Sequence, residues 1–352
     1  MILFTVGPVQ MYPASLQIAS QQEPYFRTPE FSAVMLEIER NFLDSIHAPE
    51  SASFAVLTTS GSGAMDAAIS SCFTPRDKLL ILNGGSFGQR FTEICDVYQI
   101  PYDALTLPFG TGFTPGLLEP FEQAGYTALV INLSETSTGQ LYDGQLLGEF
   151  CRRNGLYFLV DAVSAYLADP IDMEAMGIDL LLTASQKALA LSPGLALVAA
   201  SQRLTEERIF QNKRASYYLD LKEHIVNQKR GQPPFTSAVG TVLMLQQRLQ
   251  SILEQGIPFV NEEHHQRAAY FRQYAEKLKL PIPDYRLSNS CTPILFPDGG
   301  AKRVYETLKS RYEIFLTPSG GERADYILRV GHLGNLQPAD YDNLYDKLKR
   351  VL

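Results

Sequence analysis

Tyr157-Phe158-Leu159-Val160-Asp161-Ala162-Val163-Ser164 sets an acid directly after four apolar residues. A run this short, bounded by polar residues, reads as a strand covered on both faces. The same texture recurs outward from it. Phe54–Leu57, Lys78–Leu82 and Ala128–Ile131 precede it, and Leu180–Leu182 and Leu195–Val198 follow. Amphipathic stretches such as Gly144–Asn154 lie between several of these runs and suit crossover helices. The alternation over residues 50–200 predicts an α/β fold with a mostly parallel sheet. Open sheets of this kind collect ligands at the carboxyl ends of their strands, which is where Asp161 stands.

After residue 235 the texture changes. Val239–Gln255 and Glu262–Leu280 read as long helices. Short strands near Thr292–Phe296 and Tyr326–Val330 flank a helix at Ala301–Tyr312, and Pro338–Val351 reads as a last helix. A chain of 352 residues suggests about two domains. The expected division is an N-terminal segment 1–20, a large domain 21–240, and a small α+β domain 241–352 that includes a long connecting helix.

Composition narrows the function classes. Hydrophobic residues make up 45% and charged residues 19%, which is ordinary globular usage and excludes disordered or fibrous chains. Acidic residues outnumber basic ones, 38 to 30, and no Lys/Arg block appears, so a nucleic-acid partner is not expected. The longest apolar stretch, Leu180–Ala200, is interrupted by Gln186, Lys187, Pro193 and Gly194 and cannot span a bilayer. The N-terminus lacks a signal-peptide pattern. Cys72, Cys95, Cys151 and Cys291 are scattered without a CxxC pair, which suits a reducing cytoplasm. His264 and His265 project ~100° apart on a helix, a poor metal clamp, so no metal is expected.

Three stretches carry chemistry. Thr58-Thr59-Ser60-Gly61-Ser62-Gly63-Ala64 joins a strand to a helix, and its small residues with the helix N-terminus suit an anion. It lacks the nucleotide P-loop and dinucleotide patterns, and by itself it reads equally as a turn. Asp161 by itself reads more readily as a helix cap or a solvated strand-end acid. Thr183-Ala184-Ser185-Gln186-Lys187 puts a lysine just past a buried strand, where desolvation would make its amine nucleophilic, although by itself it reads more readily as an ordinary exposed lysine. In this chain order, an anion cup, a strand-end acid and a post-strand lysine meet the three needs of pyridoxal phosphate: a phosphate site, a partner for the pyridine nitrogen, and an imine-forming amine.

With these residues quoted, the sequence resembles the class V, fold-type I pyridoxal-phosphate aminotransferases over essentially its whole length. Further similar stretches are Phe4-Thr5-Val6-Gly7-Pro8, Arg27-Thr28-Pro29-Glu30-Phe31, Asn83-Gly84-Gly85-Ser86-Phe87-Gly88-Gln89-Arg90, Glu135-Thr136-Ser137-Thr138-Gly139 and Arg329-Val330-Gly331-His332-Leu333-Gly334. The resemblance implies a mostly parallel seven-stranded sheet and a homodimer with composite active sites. It implies that Lys187 forms the imine and shuttles the proton, that Asp161 pairs with the pyridinium, and that Phe87 stacks on the ring. Ser62, Gly63 and Ala64 would hold the phosphate with Gln186, and Thr136 would sit near the ring hydroxyl or Asp161. Arg329, Arg27 and Gly7 would contact the substrate. Thr236, in Gly231–Ser237, would reach the partner subunit's cofactor phosphate, although Pro233 stands where some relatives carry Tyr. The sequence has no Trp, so the stacking ring must be Phe87.

The implied reaction moves an amino group from 2-aminoethylphosphonate, alanine or serine to pyruvate or glyoxylate in a ping-pong sequence. Two alternatives remain open at this point. A cysteine desulfurase would stack His on the ring and use a loop Cys, whereas here the ring is Phe87 and Cys291 reads as a strand entry. A non-catalytic cofactor-binding protein would retain the fold without turnover.

Overall fold

In the computed structural model, which describes residues 1–352, the predicted alternation becomes a seven-stranded sheet. Its strands are β1 (Ser53–Leu57), β2 (Leu79–Asn83), β3 (Tyr102–Thr106), β4 (Ala128–Asn132), β5 (Tyr157–Asp161), β6 (Leu180–Ala184) and β7 (Ala196–Ala200). Their order is β1-β7-β6-β5-β4-β2-β3. Only β7 runs against its neighbours, β1 and β6; the remaining pairs are parallel.

The short apolar runs are strands because helices cover both faces. Along β2, Leu79 and Ile81 enter one core while Leu80 and Leu82 enter the other, as a period of two requires. The crossover Gly144–Asn154 is helical as expected: Asp143 caps its start by accepting from the Leu146 N–H, and Gly155 ends it in the left-handed region at φ 69°. β3 is the strand that the apolar pattern does not reveal. It lies at the sheet edge, its residues alternate between half-buried and exposed, and Asp103 pairs with Lys78 at 2.7 Å. An edge strand marked by charge shows no continuous apolar run.

A third core gathers Phe4, Phe271, Ile294, Leu328, Tyr341 and Leu344. Its sheet is antiparallel, with Ile327–Gly331 between Cys291–Leu295 and Thr317–Pro318. The helix expected from Glu262 begins earlier, at Ile257, because Gly256 breaks the preceding helix and Pro258 occupies the first turn; it ends at Lys277. Val239–Gln255 packs Val242, Leu245 and Leu249 into the first core. The N-terminal segment ties the units together: Ile2–Leu3 pairs in parallel with Ile314–Phe315, and the next residues run on toward the central sheet.

Candidate active site

The carboxyl ends of β1, β2, β4, β5 and β6 face one cavity of about 230 Å³. The expected residues Ser62, Phe87, Thr136, Asp161, Gln186 and Lys187 all line it, as does Gly7. These positions lie far apart in sequence, and the strand order brings them together.

Asp161 ends β5 and is buried. Asn132, at the end of the neighbouring β4, donates Nδ2–H to Asp161 Oδ2 at 2.6 Å, and the Val163 N–H donates to Oδ1 at 2.7 Å. Burial pushes the carboxyl up to about 6, against the pull of those two donors and of the Lys187 charge. Lys187 lies past the end of β6. Its Nζ donates to the Val6 carbonyl at 2.6 Å and stands 6.0 Å from the centroid of the Phe87 ring. Burial lowers its ammonium to about 8, despite the opposing fields of Cys291 and Asp161. The chain passes close to this lysine at Gly7, where a Cβ would lie 2.7 Å from Lys187 Cδ.

Phe87 is held by its own backbone. The buried Glu135 carboxylate accepts from the N–H groups of Phe87 (3.2 Å) and Gly88 (3.0 Å), and from Ser137. A carboxylate at the start of the helix Ser86–Tyr98 satisfies donors that the helix leaves unpaired. Arg90, one turn on, lies over the Phe87 ring at 4.8 Å and donates to Ser62 Oγ at 2.7 Å. Ser62 belongs to the first turn of Gly61–Cys72, a helix with no side-chain cap. Its early N–H groups have no partner within the helix. Glycine is required at position 63, where a Cβ would fall 1.9 Å from Thr59 Oγ1. Ala64 does not join this cup, contrary to expectation. Its N–H already donates to the Ser60 carbonyl at 3.1 Å and its side chain is buried in the second core, while Ser60 and Gly61 line the cavity instead.

The class V aminotransferase family model matches residues 24–317 of the chain. The chain belongs to that family. The 42 kDa subunit of the soluble hydrogenase of Anabaena cylindrica is 28% identical over 359 residues, 100% of this chain and 93% of that protein. The alanine–glyoxylate aminotransferase of Oryctolagus cuniculus is 27% identical over 366 residues, 100% of this chain and 92% of that protein. The solved structure of a subgroup IV aspartate aminotransferase from Thermus thermophilus superposes with a TM-score of 0.92 at 27% identity, covering 100% of both chains. The fold-type I class and the aminotransferase assignment expected from the sequence therefore hold.

In this class V aminotransferase, Arg329 backs the cavity at Thr136. Its guanidinium donates to the carbonyls of Thr136 and Pro318, each at 3.0 Å, and its buried Nε–H has no partner. Burial lowers its pKa. Thr136 Oγ1 bonds Ser164 Oγ at 2.5 Å. Gly63, Ala64 and Arg329 do not line the cavity themselves, and Arg27 and Thr236 also lie outside it. Arg27 donates to the carbonyls of Pro233 (2.6 Å) and Pro234 (3.3 Å), so its charge is engaged in holding that loop. Thr236, on the same loop, is exposed. Cys291 is buried at the start of a strand with Sγ 3.9 Å from the Thr136 carbonyl, and burial raises its thiol.

Asn132, Ser164 and Arg90 carry no signal of their own in the sequence. Asn132 gains meaning only from the adjacency of β4 and β5, which no local pattern reports. Arg90 and Glu135 sit inside the recognised stretches, but their bonds depend on how two loops meet.

Proposed function

We propose that the enzyme holds pyridoxal 5′-phosphate in this cavity and transfers an amino group from a small donor to a small 2-oxo acid. The meeting of Lys187, Asp161 and Phe87 in one cavity carries the reading. The residues present fit such a group: Asn132 Oδ1 and Gln186 Oε1 are buried polar atoms without partners at its wall, and an uncapped helix N-terminus opens onto it. When bound, the cofactor supplies an aldehyde that takes the amino group and a ring that withdraws electrons from the substrate's Cα.

The chain's residues do the rest. Lys187, with its amine lowered to about 8, is partly neutral near neutral pH, so Nζ is a nucleophile and then moves the proton at the substrate's Cα. Asp161, oriented by Asn132 and Val163, holds a heterocyclic N–H⁺, the partner that its buried charge lacks. Phe87 closes one face against water. Ser60, Gly61, Ser62 and Gly63 offer the donors for phosphate, beside the Arg90 charge. Thr136 hydrogen-bonds near the ring hydroxyl, and Gly7 keeps the chain close along Lys187. Arg329 offers its Nε–H to a substrate carboxylate. Arg27 serves the substrate indirectly, by bracing residues 233–234.

Residues 21–240 form the cofactor domain and 241–352 the small domain on this reading. The active unit is a homodimer in the cytoplasm, in which Thr236 reaches the partner's cavity. Donors are alanine, serine or 2-aminoethylphosphonate, and acceptors are pyruvate or glyoxylate, used in a ping-pong sequence. A donor–acceptor screen that adds aspartate and cysteine tests this. Turnover is expected with at least one of these donors and either acceptor. Sulfide release from cysteine without use of a 2-oxo acid would point to a desulfurase, and no turnover with any donor to a binding protein.

A further inference from the structure

Ser288-Asn289-Ser290 leads into the strand Cys291–Leu295 and lies between the central sheet and the small core. Asp169, on the loop after β5, is 2% exposed, and no Lys or Arg lies within salt-bridge distance of it. It accepts from Ser288 Oγ at 2.5 Å and from the Asn289 N–H at 3.0 Å, while Asn289 Nδ2 donates to the Ala168 carbonyl at 3.2 Å. From the other side, Arg272 of the helix Ile257–Lys277 donates to the Ser288 carbonyl (2.7 Å) and to Thr292 Oγ1 (3.1 Å). Ser290 Oγ lies 2.8 Å from Ser288 Oγ and 3.3 Å from Ser134 Oγ, a residue of the cavity wall. A buried line of hydrogen bonds thus runs from Asp169 to the cavity.

A carboxylate without a bonded cation is costly to bury, and its two donors are what retain it. Arg272 and Arg286 offset its charge only from a distance, and burial pushes it up to about 6. The segment that it grips is the entry to a strand whose Pro293 stands opposite Arg329 in the antiparallel register. Arg329 in turn spans Thr136 of the large unit and Pro318 of the small one. A slip of residues 288–291 would carry the Arg329 strand with it and shift the guanidinium relative to the cavity.

We infer that Asp169 is a positioning residue for the carboxylate subsite: it latches residues 288–290 to the large sheet and so fixes where Arg329 stands. This rests on the reading of Arg329 as the anchor for a substrate carboxylate. Asp169 does not line the cavity, so its replacement leaves cofactor affinity and the cofactor's absorbance unchanged.

The test uses the full-length holoenzyme with alanine as donor and glyoxylate as acceptor. Asp169→Ala is expected to raise KM for the acceptor on the order of tenfold, because misplacing a binding group by about 1 Å is enough for such a loss. Its kcat should change by less than about threefold. Asp169→Asn keeps the volume and one acceptor oxygen and should raise KM only about threefold. Where Asp169→Ala does not yield folded protein, the Asn variant carries the test. In the Arg329→Ala background, either substitution should add little, since two residues acting through one contact are not additive. Unchanged KM in both Asp169 variants, with a raised KM in Arg329→Ala, would overturn the latch alone. Full additivity of the two effects would do the same. Unchanged KM in Arg329→Ala would instead remove the anchor, and the latch with it.

Discussion

At Lys187 two opposing influences meet. Burial disfavours the ammonium, while Asp161 and Cys291 favour it, and burial wins by enough to bring the group to about 8. Because the folded pKa is lowered, the neutral amine grows as pH rises and is nearly complete above pH 9. The rate at which cofactor-free protein captures pyridoxal phosphate should therefore rise about tenfold between pH 7 and 9 and then level off. Stopped-flow absorbance measures it, and a flat profile would show that Lys187 is not the titrating nucleophile. Arg329→Ala should raise KM for carboxylate substrates about 10- to 100-fold, the worth of a charged hydrogen bond, with the cofactor band retained. Steady-state kinetics with saturating donor decide that point. The placement of Lys187 and Asp161 at the sheet's carboxyl edge is legible in the sequence, since each follows a short apolar run that reads as a buried strand. Their helpers are not. Asn132 and Ser164 are polar residues after strands, as many are, and only the sheet order gives them a partner.

The elements that shape the site are two helix N-termini, and each has a weak point. At the start of Gly61–Cys72, a Cβ on Gly63 would drive into Thr59 Oγ1, so Gly63→Ala must shift the turn that faces the cavity. We expect it to cost about 1–3 kcal/mol of stability and to weaken cofactor affinity as well. Thermal unfolding with and without cofactor separates the two effects; an unaltered affinity would remove this turn from the phosphate site. At the start of Ser86–Tyr98, Glu135→Gln replaces a carboxylate that accepts several N–H groups with an amide that can accept on one side only. A loss of about 1–3 kcal/mol in unfolding free energy is expected, together with a shift in the cofactor's absorbance as Phe87 loosens. Ala64 lies outside the cavity lining for a physical reason: the fourth helical residue already has a carbonyl partner inside its own helix, so only the first turn remains free. β3 carries no continuous apolar run because it lies at the sheet edge, with one side open to solvent.

Across the whole molecule, the sequence pattern shows two kinds of texture, and the fold joins them through the N-terminal segment, Arg329 and the residue 288–290 seat. No helix is long and apolar enough to cross a membrane. Arg27 shows what local motifs leave out: it lies in a recognised stretch, yet it braces the loop that presents Thr236 instead of entering the cavity. The resemblance that sends Thr236, the exposed residue of that loop, to the partner's cavity is the reason to expect a dimer, which light scattering should report as twice the chain mass. The most direct measurement of the central claim is a single half-reaction. Holoenzyme mixed with a donor identified in the screen, without any acceptor, should lose its lysine-linked absorbance and release one equivalent of that donor's carbonyl product per site (a 2-oxo acid from alanine or serine, an aldehyde from 2-aminoethylphosphonate), while Lys187→Ala shows neither the band nor the product. Stoichiometric carbonyl product from Lys187→Ala, or an unchanged spectrum and no product from the unaltered enzyme with every donor, would contradict a lysine-dependent transamination.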